Sequence, residues 1–230
     1  MMEAAMKRFA DREEAGQLLA ERLAAEGPWN DPVVLALPRG GVPVARPVAD
    51  RLGAPLDLLL VRKIGAPGNP ELAVGAVVDG TDREAVWNDD LLRLMGLSRE
   101  DMAPAVARAL AEIEERRRLY LGDRAPVPVE GRDVIVIDDG IATGATMRAA
   151  LRAVRRRNPA SVTLAVPVAP ADTLHELRPL VDRLVCLAVP EPFHAVGLHY
   201  EDFRQTTDEE VRALLARGPE IGGQEQKGGA

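Results

Sequence analysis

The 230-residue sequence predicts an α/β fold: a doubly wound, mainly parallel five-stranded sheet flanked by helices, with a small flap. Three observations carry that expectation. Five short apolar runs (VVLAL, LLLV, VIVI, VTLAV and LVCLAV) have the length and unbroken hydrophobicity of strands covered on both faces. Stretches of helical period separate most of them, the alternation that builds parallel sheets. A further pair, AVGAVV (Ala73–Val78) and Glu84–Trp87 beyond Asp79-Gly80, has the spacing of a hairpin or flap.

In chain order, Asp11–Ala25 has apolar residues at helical spacing behind Asp11 as N-cap. Val33–Leu37 is the first strand, bounded by Pro32 and by PRGG, and Val42–Leu52 is a helix that tolerates Pro43 in its first turn. Leu58–Val61 is the second strand, followed by the Gly- and Pro-rich stretch RKIGAPGNPE, read as a loop. Ser98–Tyr120 is the longest helix: Ser98 and Asp101 form a capping-box pattern, and Met102, Val106, Leu110 and Ile113 make one apolar stripe. Glu112/Arg116 and Glu114/Arg118 are pairs on its wet side. Val134–Ile137, Val162–Val166 and Leu184–Val189 complete the strands, with helices at Thr146–Arg157 and Ala171–Leu177. No linker divides the chain, so residues 1–217 read as one domain. Residues 218–230 (GPEIGGQEQKGGA) have too few apolar groups to order themselves.

Composition narrows the function. Hydrophobic residues at 47% and charged residues at 28% argue against wholesale disorder. The lone cysteine, Cys186, excludes an intramolecular disulfide or a cysteine-only zinc cluster, and it reads as a small hydrophobe inside a strand. No apolar run approaches the ~20 residues of a membrane span, and MMEAAMKRFADREE lacks a signal-peptide core, so a soluble cytoplasmic protein is expected. A net charge of −7 repels nucleic acid and anionic lipid, so neither is expected as a partner. Arg148, Arg152, Arg155, Arg156 and Arg157 are accordingly read as a solvated helix face, and His175 as a surface residue. Any anion must be captured by a local set of donors. Only three of the 29 basic residues are lysines, and one of them, Lys63, falls in the Gly- and Pro-rich loop.

The segment Val134–Met147, VIVIDDGIATGATM, carries the chemistry. A buried strand runs into Asp138 and Asp139, then into a Gly-containing turn that opens a helix. The carboxyl ends of strands are where open α/β sheets bind ligands. The N–H groups at such a helix start lack intrahelical partners and face outward, a seat for phosphate. Thr143 and Thr146 add hydroxyl donors, and Gly144 lets the backbone approach closely. There is no G-x-x-x-x-G-K-[ST] and no G-x-G-x-x-G, which disfavours triphosphate and dinucleotide sites. Two acids beside a phosphate seat make sense where the ligand also offers a pair of hydroxyl donors or brings Mg²⁺. Phosphate at one end and a diol at the other describe a ribose 5-phosphate.

This segment resembles the phosphoribosyl pyrophosphate signature of the type I phosphoribosyltransferases: apolar strand, two acids, short spacer, T-G-x-T. PRGG (Pro38–Gly41) resembles that family's pyrophosphate loop. The resemblance implies roles position by position. Asp138 and Asp139 would hold the ribose hydroxyls, with Mg²⁺ bridging hydroxyls and pyrophosphate oxygens. Ala142, Thr143, Gly144, Ala145 and Thr146 would cradle the 5-phosphate. Arg39 and Gly40 would bind pyrophosphate through an unusual peptide geometry, Lys63 would be a second contact, and Ile64–Ala76 would be a mobile cover. Hypoxanthine- and guanine-using members carry an acid where this chain has Ala142, so the loop is closer to the adenine and orotate types. A hood, here about residues 190–205 (within PEPFHAVGLHYEDF), would supply base contacts: Phe193 and Tyr200 by stacking, His194 and His199 by polar contact. Core packing is the competing account of these rings. The implied function is transfer of ribose 5-phosphate from phosphoribosyl pyrophosphate to a nitrogenous base, with a homodimer as the candidate assembly. The alternatives are a ligand-sensing protein on the same fold and, more weakly, a nucleotide hydrolase or phosphorylase.

Overall fold

The computed structural model describes residues 8–79 and 85–217, apart from the side chains of Pro70 and Glu71. The leading residues 1–7, the turn expected after Asp79 and the tail 218–230 lie outside the described residues.

Helix α1 (Arg12–Ala25) starts where the sequence places it, with the Asp11 carboxylate accepting the Glu14 N–H at 2.9 Å. It crosses α2 (Gly41–Leu52) at Gly16, where a Cβ would lie 2.6 Å from the Val44 carbonyl oxygen. The main sheet is five-stranded and parallel, in the order β2 (Leu56–Leu58), β1 (Val33–Ala36), β6 (Asp133–Ile137), β7 (Ser161–Val168), β8 (Arg183–Ala188). Alternate residues explain its continuous hydrophobicity. Val34, Ala36, Ile135 and Ile137 pack toward α1, α2 and α7 (Asp208–Ala216), whereas Val33, Leu35, Val134 and Val136 pack toward α5 (Ala145–Arg155). The chain leaves β1 outward to β2, then returns to β6 on β1's other side and winds away to β8. The reversal of direction falls between β1 and β6, which makes the carboxyl ends of these two strands the natural ligand crevice.

A second sheet is antiparallel, β3 (Val61–Ala66), β4 (Asn69–Val78), β5 (Ala85–Trp87). It corrects two expectations. LLLV is not one strand: β2 ends at Leu58, Leu59 and Leu60 are buried in the crossing, and Val61 opens β3. The stretch Ile64–Ala76 is not an open loop but a hairpin, turned at Pro67-Gly68 with Gly68 at φ 76°. Proline followed by a glycine of positive φ is the chemistry of a type II turn. Ile64, Val74 and Val77 supply the apolar side of the hairpin.

Beyond a short helix α3 (Asp89–Leu94), Ser98 and Asp101 exchange their side-chain-to-backbone bonds (2.8 and 3.1 Å), but they close a separate turn. Helix α4 (Ala103–Leu121) begins only after it, next to Pro104. Met102 and Ile113 are buried as the stripe predicts, with Val106 and Leu110 packed beside them. Glu112, expected to pair with Arg116, instead meets Arg62 of β3 at 3.1 Å. Arg117 carries α4 inward: its guanidinium reaches Asp57 of β2 at 3.2 Å and Asp79, just past β4, at 2.5 Å.

Helix α6 (Ala171–Leu177) precedes β8, and Cys186 on this edge strand is half-buried with its thiol pushed up to about 11 by burial. The hood region contains one 3-10 turn, Val196–His199, ahead of α7. That helix opens with a capping box between Thr207 and Glu210. No helix among the described residues is long and apolar enough to cross a membrane.

Candidate functional site

The loops after β1 and β6 are pressed together. A Cβ on Gly40 would collide with Asp139 Oδ2, and one on Gly41 would lie 2.8 Å from the Ile137 carbonyl oxygen. Both glycines of PRGG are therefore required by close approach to the acidic loop. The Pro38–Arg39 peptide is cis, and Arg39 sits immediately before the start of α2. Its Nη1 stands 3.4 Å from Asp208 Oδ1, an oxygen that also accepts the Tyr120 hydroxyl at 2.7 Å.

The turn that the resemblance reads as a phosphate seat opens a helix in the structure. Gly144 caps α5 at φ 71°, and the first helical bond is Arg148 N–H to the Gly144 carbonyl at 2.8 Å, so the amides of the first turn are open to a ligand. Ala142 and Thr143 are exposed and Thr146 is half-buried. The Thr173 hydroxyl of α6 donates to the Ala142 carbonyl at 2.7 Å and braces the turn. The hood rests on the same loop, since a Cβ on Gly140 would lie 2.5 Å from Val196 Cγ1.

The two acids, to which the resemblance gives one shared role, sit in different surroundings. Asp139 Oδ2 takes Arg12 Nε at 2.8 Å and Nη2 at 2.7 Å, while Arg12 Nη1 donates to the Arg204 carbonyl and its guanidinium lies 3.9 Å from the Phe203 ring centre. Asp138 accepts the Asp139 N–H at 2.9 Å, and among the described residues no cation pairs with it. Burial, then the neighbouring Asp139 charge, push the Asp138 carboxyl well above its ordinary value; burial also raises Asp139, with Arg12 pulling the other way.

A stability test separates them. Asp139→Asn should lower unfolding free energy by about 1.5–3 kcal/mol, because it breaks a charged hydrogen-bond pair. Asp138→Asn should leave stability at pH 7 unchanged or higher. A carboxyl raised in the folded state favours folding most below its ordinary pKa, and that contribution is lost as pH rises through the folded value. Urea unfolding of the two variants checks this, and equal losses would refute the distinction.

A cavity of about 80 Å³ opens beside this site, lined by Pro38, Arg62, Ile113, Arg116 and Thr146 among others. Lys63 does not line it. It lies on a strand, not in a loop, and successive strand residues face opposite sides, so Arg62 is the one that turns to the cavity. A larger cleft of about 540 Å³ runs between α1, α2 and α7, and several of its charges pair within it, as in Arg46–Asp50 and Arg204–Glu210. Tyr200 is corrected as a base contact. Its ring is 3% exposed between Phe9 and Phe203, and its hydroxyl donates to the Asp139 carbonyl at 2.5 Å. Phe193 is half-buried and stacked on His199 at 5.5 Å, His199 is buried, and His194 is exposed.

Residues 8–201 match the family profile described as a phosphoribosyl transferase domain. The chain belongs to the phosphoribosyl transferase family. The Thermus thermophilus protein TT1426, known by crystal structure, is 47% identical and superposes with a TM-score of 0.80, over 90% of this chain and 97% of that one. A Mycobacterium tuberculosis protein provisionally named a phosphoribosyl transferase is 46% identical over 212 residues. These cover 92% of this chain but 47% of the relative, so the chain spans about half the length of the curated relatives it matches. AQ2163 from Aquifex aeolicus, at 14% identity and a TM-score of 0.50 over 81% of this chain and 78% of that one, shares the fold. The candidate site includes residues that sequence reasoning missed. Arg12, Arg116 and Tyr120 lie in ordinary helical patterns, Arg62 opens the stretch read as a loop and Asp208 lies where no element was expected, and an arginine-rich chain gives no reason to single out any one arginine.

Proposed function

We propose that this member of the phosphoribosyl transferase family transfers the ribose 5-phosphate group of phosphoribosyl pyrophosphate to a nitrogenous base. The bond from the anomeric carbon to a pyrophosphate oxygen breaks, a bond to a base nitrogen forms, and pyrophosphate leaves. The observation that carries this reading is the meeting of two loops at the β1/β6 reversal: an open helix start at Thr143–Thr146 from one, Arg39 from the other, and Asp138 between them. In this reading the α5 amides and the threonine hydroxyls hold the 5-phosphate, Asp138 accepts from the ribose hydroxyls, and Arg39 and Arg62 face the departing pyrophosphate. Lys63, on the face of the hairpin strand opposite Arg62, carries no contact in this reading, and Phe193 is the remaining stacking candidate for the base. The donors fit an indirect Mg²⁺ site. Among the described residues no three His, Cys, Asp or Glu side chains gather to hold an ion, while Asp138 and Asp139 can share one with substrate oxygens and water. Bound there, the ion would offset the charge of the leaving pyrophosphate. The lone cysteine and a phosphorylated small-molecule substrate suit a cytoplasmic setting.

A ligand-sensing role without chemistry is the second reading, favoured by the pairing of Asp139 with Arg12, which withdraws one acid from the diol. Calorimetry with phosphoribosyl pyrophosphate, with and without a chelator, tests the ligand. Gly144→Val should abolish measurable binding, since a branched side chain at φ 71° is strained and its Cβ would lie 2.8 Å from Thr173 Cγ2. Affinity unmoved by either treatment removes the assignment. Tight binding with no turnover across a panel of bases selects the sensor.

A further inference from the structure

We propose that Asp208, at the start of α7, is a positioning residue for Arg39, and that Tyr120 of α4 holds Asp208 for that task. The proposal rests on the reading of Arg39 as a pyrophosphate contact. Three elements distant in sequence meet at one carboxylate oxygen: Tyr120 Oη at 2.7 Å and Arg39 Nη1 at 3.4 Å from Asp208 Oδ1. The tyrosine ring is buried, so its hydroxyl is fixed by packing. The Arg39 and Asp208 side chains are 30% and 39% exposed, so the pair remains open to a ligand. The match to the family profile ends at residue 201, and α7 lies beyond it. Of the three residues, Asp208 therefore lies outside the matched part of the chain, while Arg39 and Tyr120 lie within it.

An acid beside an anion seat repels the anion, so its presence calls for a compensating role. Neutralising the N-terminus of α7 does not suffice as one, because Glu209 and Glu210 already place charge in that first turn. Orientation does suffice. A guanidinium has five N–H donors on a long, many-rotamer stem, and gripping a diphosphate freezes that stem. A carboxylate on one edge freezes part of it beforehand and leaves the remaining donors for the ligand. The Tyr120 hydrogen bond and then the charges of Arg39 and Arg116 hold the Asp208 carboxyl below its usual range, so it stays ionised. Arg116 lies one helical turn before Tyr120 on the same face of α4 and lines the small cavity beside Pro38 and Thr146. One acid therefore organises the cationic rim of the site.

Titration calorimetry of the full chain with inorganic pyrophosphate and, separately, inorganic phosphate tests this. Asp208→Asn keeps an acceptor for Tyr120 but removes the charge on Arg39; Tyr120→Phe keeps the packing and removes the hydroxyl. Pyrophosphate affinity should fall about tenfold in Asp208→Asn, within the ~10² cost of a misplaced group, and by less in Tyr120→Phe. Phosphate affinity should not move, the double variant should be no weaker than Asp208→Asn, and kcat should fall with KM for the base unchanged. If the charge of Asp208 mattered only as repulsion, Asp208→Asn would bind pyrophosphate more tightly; tighter or unchanged binding overturns the proposal. Arg39→Ala separates the two layers of argument. If it leaves pyrophosphate affinity unchanged, the reading of Arg39 fails and the proposal with it. If it weakens pyrophosphate while Asp208→Asn and Tyr120→Phe do not, only the positioning role fails.

Discussion

Arg117→Ala should lower the stability of the chain by about 3–5 kcal/mol, the cost of stripping a buried carboxylate of its cation. Asp57 is 3% exposed and sits in β2, where it accepts from Arg117 Nη2 at 3.2 Å, from the Val127 N–H at 2.8 Å and from the Leu58 N–H at 2.8 Å. The same guanidinium binds Asp79 at 2.5 Å, so two acids lose their partner at once. Arg124 stands 3.5 Å from Asp57 but is 40% exposed, a poorer counterion. The exposed pair Arg93–Asp90 is the control: Arg93→Ala should change stability by less than about 0.5 kcal/mol. Urea unfolding at pH 7 gives both numbers. A loss under about 1 kcal/mol for Arg117→Ala would show that Arg124 or water replaces it, and that the network is dispensable.

Gly40→Ala should be nearly as damaging, and to activity more than to folding. The added methyl meets Asp139 Oδ2, and this oxygen cannot swing away because two Arg12 nitrogens hold it. The Pro38–Gly41 loop has to move instead, and Arg39 moves with it. A shift of about 1 Å at a positioning group can cost ~10² in turnover, while overpacking of this kind costs about 1–3 kcal/mol in stability. Single-turnover assays beside thermal unfolding measure the two effects. Turnover within about twofold of wild type would mean that the loop accommodates the methyl without displacing Arg39.

Much of this is legible in the residues, and the misses have physical causes. VVLAL and VIVI are recognisable because both faces of a central parallel strand are covered, which removes polar alternation. LLLV misleads for the same reason in another setting: Leu59 and Leu60 are buried by the crossing between two sheets, and burial alone does not distinguish a strand from a buried connection. RKIGAPGNPE reads as a loop by composition, yet its glycines and prolines serve one tight turn and a register shift within a hairpin. The open helix start at Gly144–Thr146, proposed as the phosphate seat, is legible because its residues are consecutive in the chain. The pairings Arg12–Asp139 and Arg39–Asp208 are not, since they join residues 127 and 169 positions apart and depend on tertiary packing alone. Tyr200 enters the base-binding account through its neighbourhood, but its hydroxyl supports the acidic loop from behind.

The two sheets share no ladder among the described residues: the main sheet ends at β2, and the hairpin layer is reached through Leu59-Leu60. The backbone bonds at that crossing are few, Leu59 N–H to the Ala36 carbonyl and Asp79 N–H to the Leu60 carbonyl. The two plates are therefore joined by side chains and not by strand pairing: the Arg117 guanidinium bridges Asp57 of one to Asp79 of the other, and Val61 and Ile113 pack into the apolar clusters around them. Their relative placement, and with it the shape of the crevice at the strand ends, thus rests on the packing of a few residues that need touch no reacting atom.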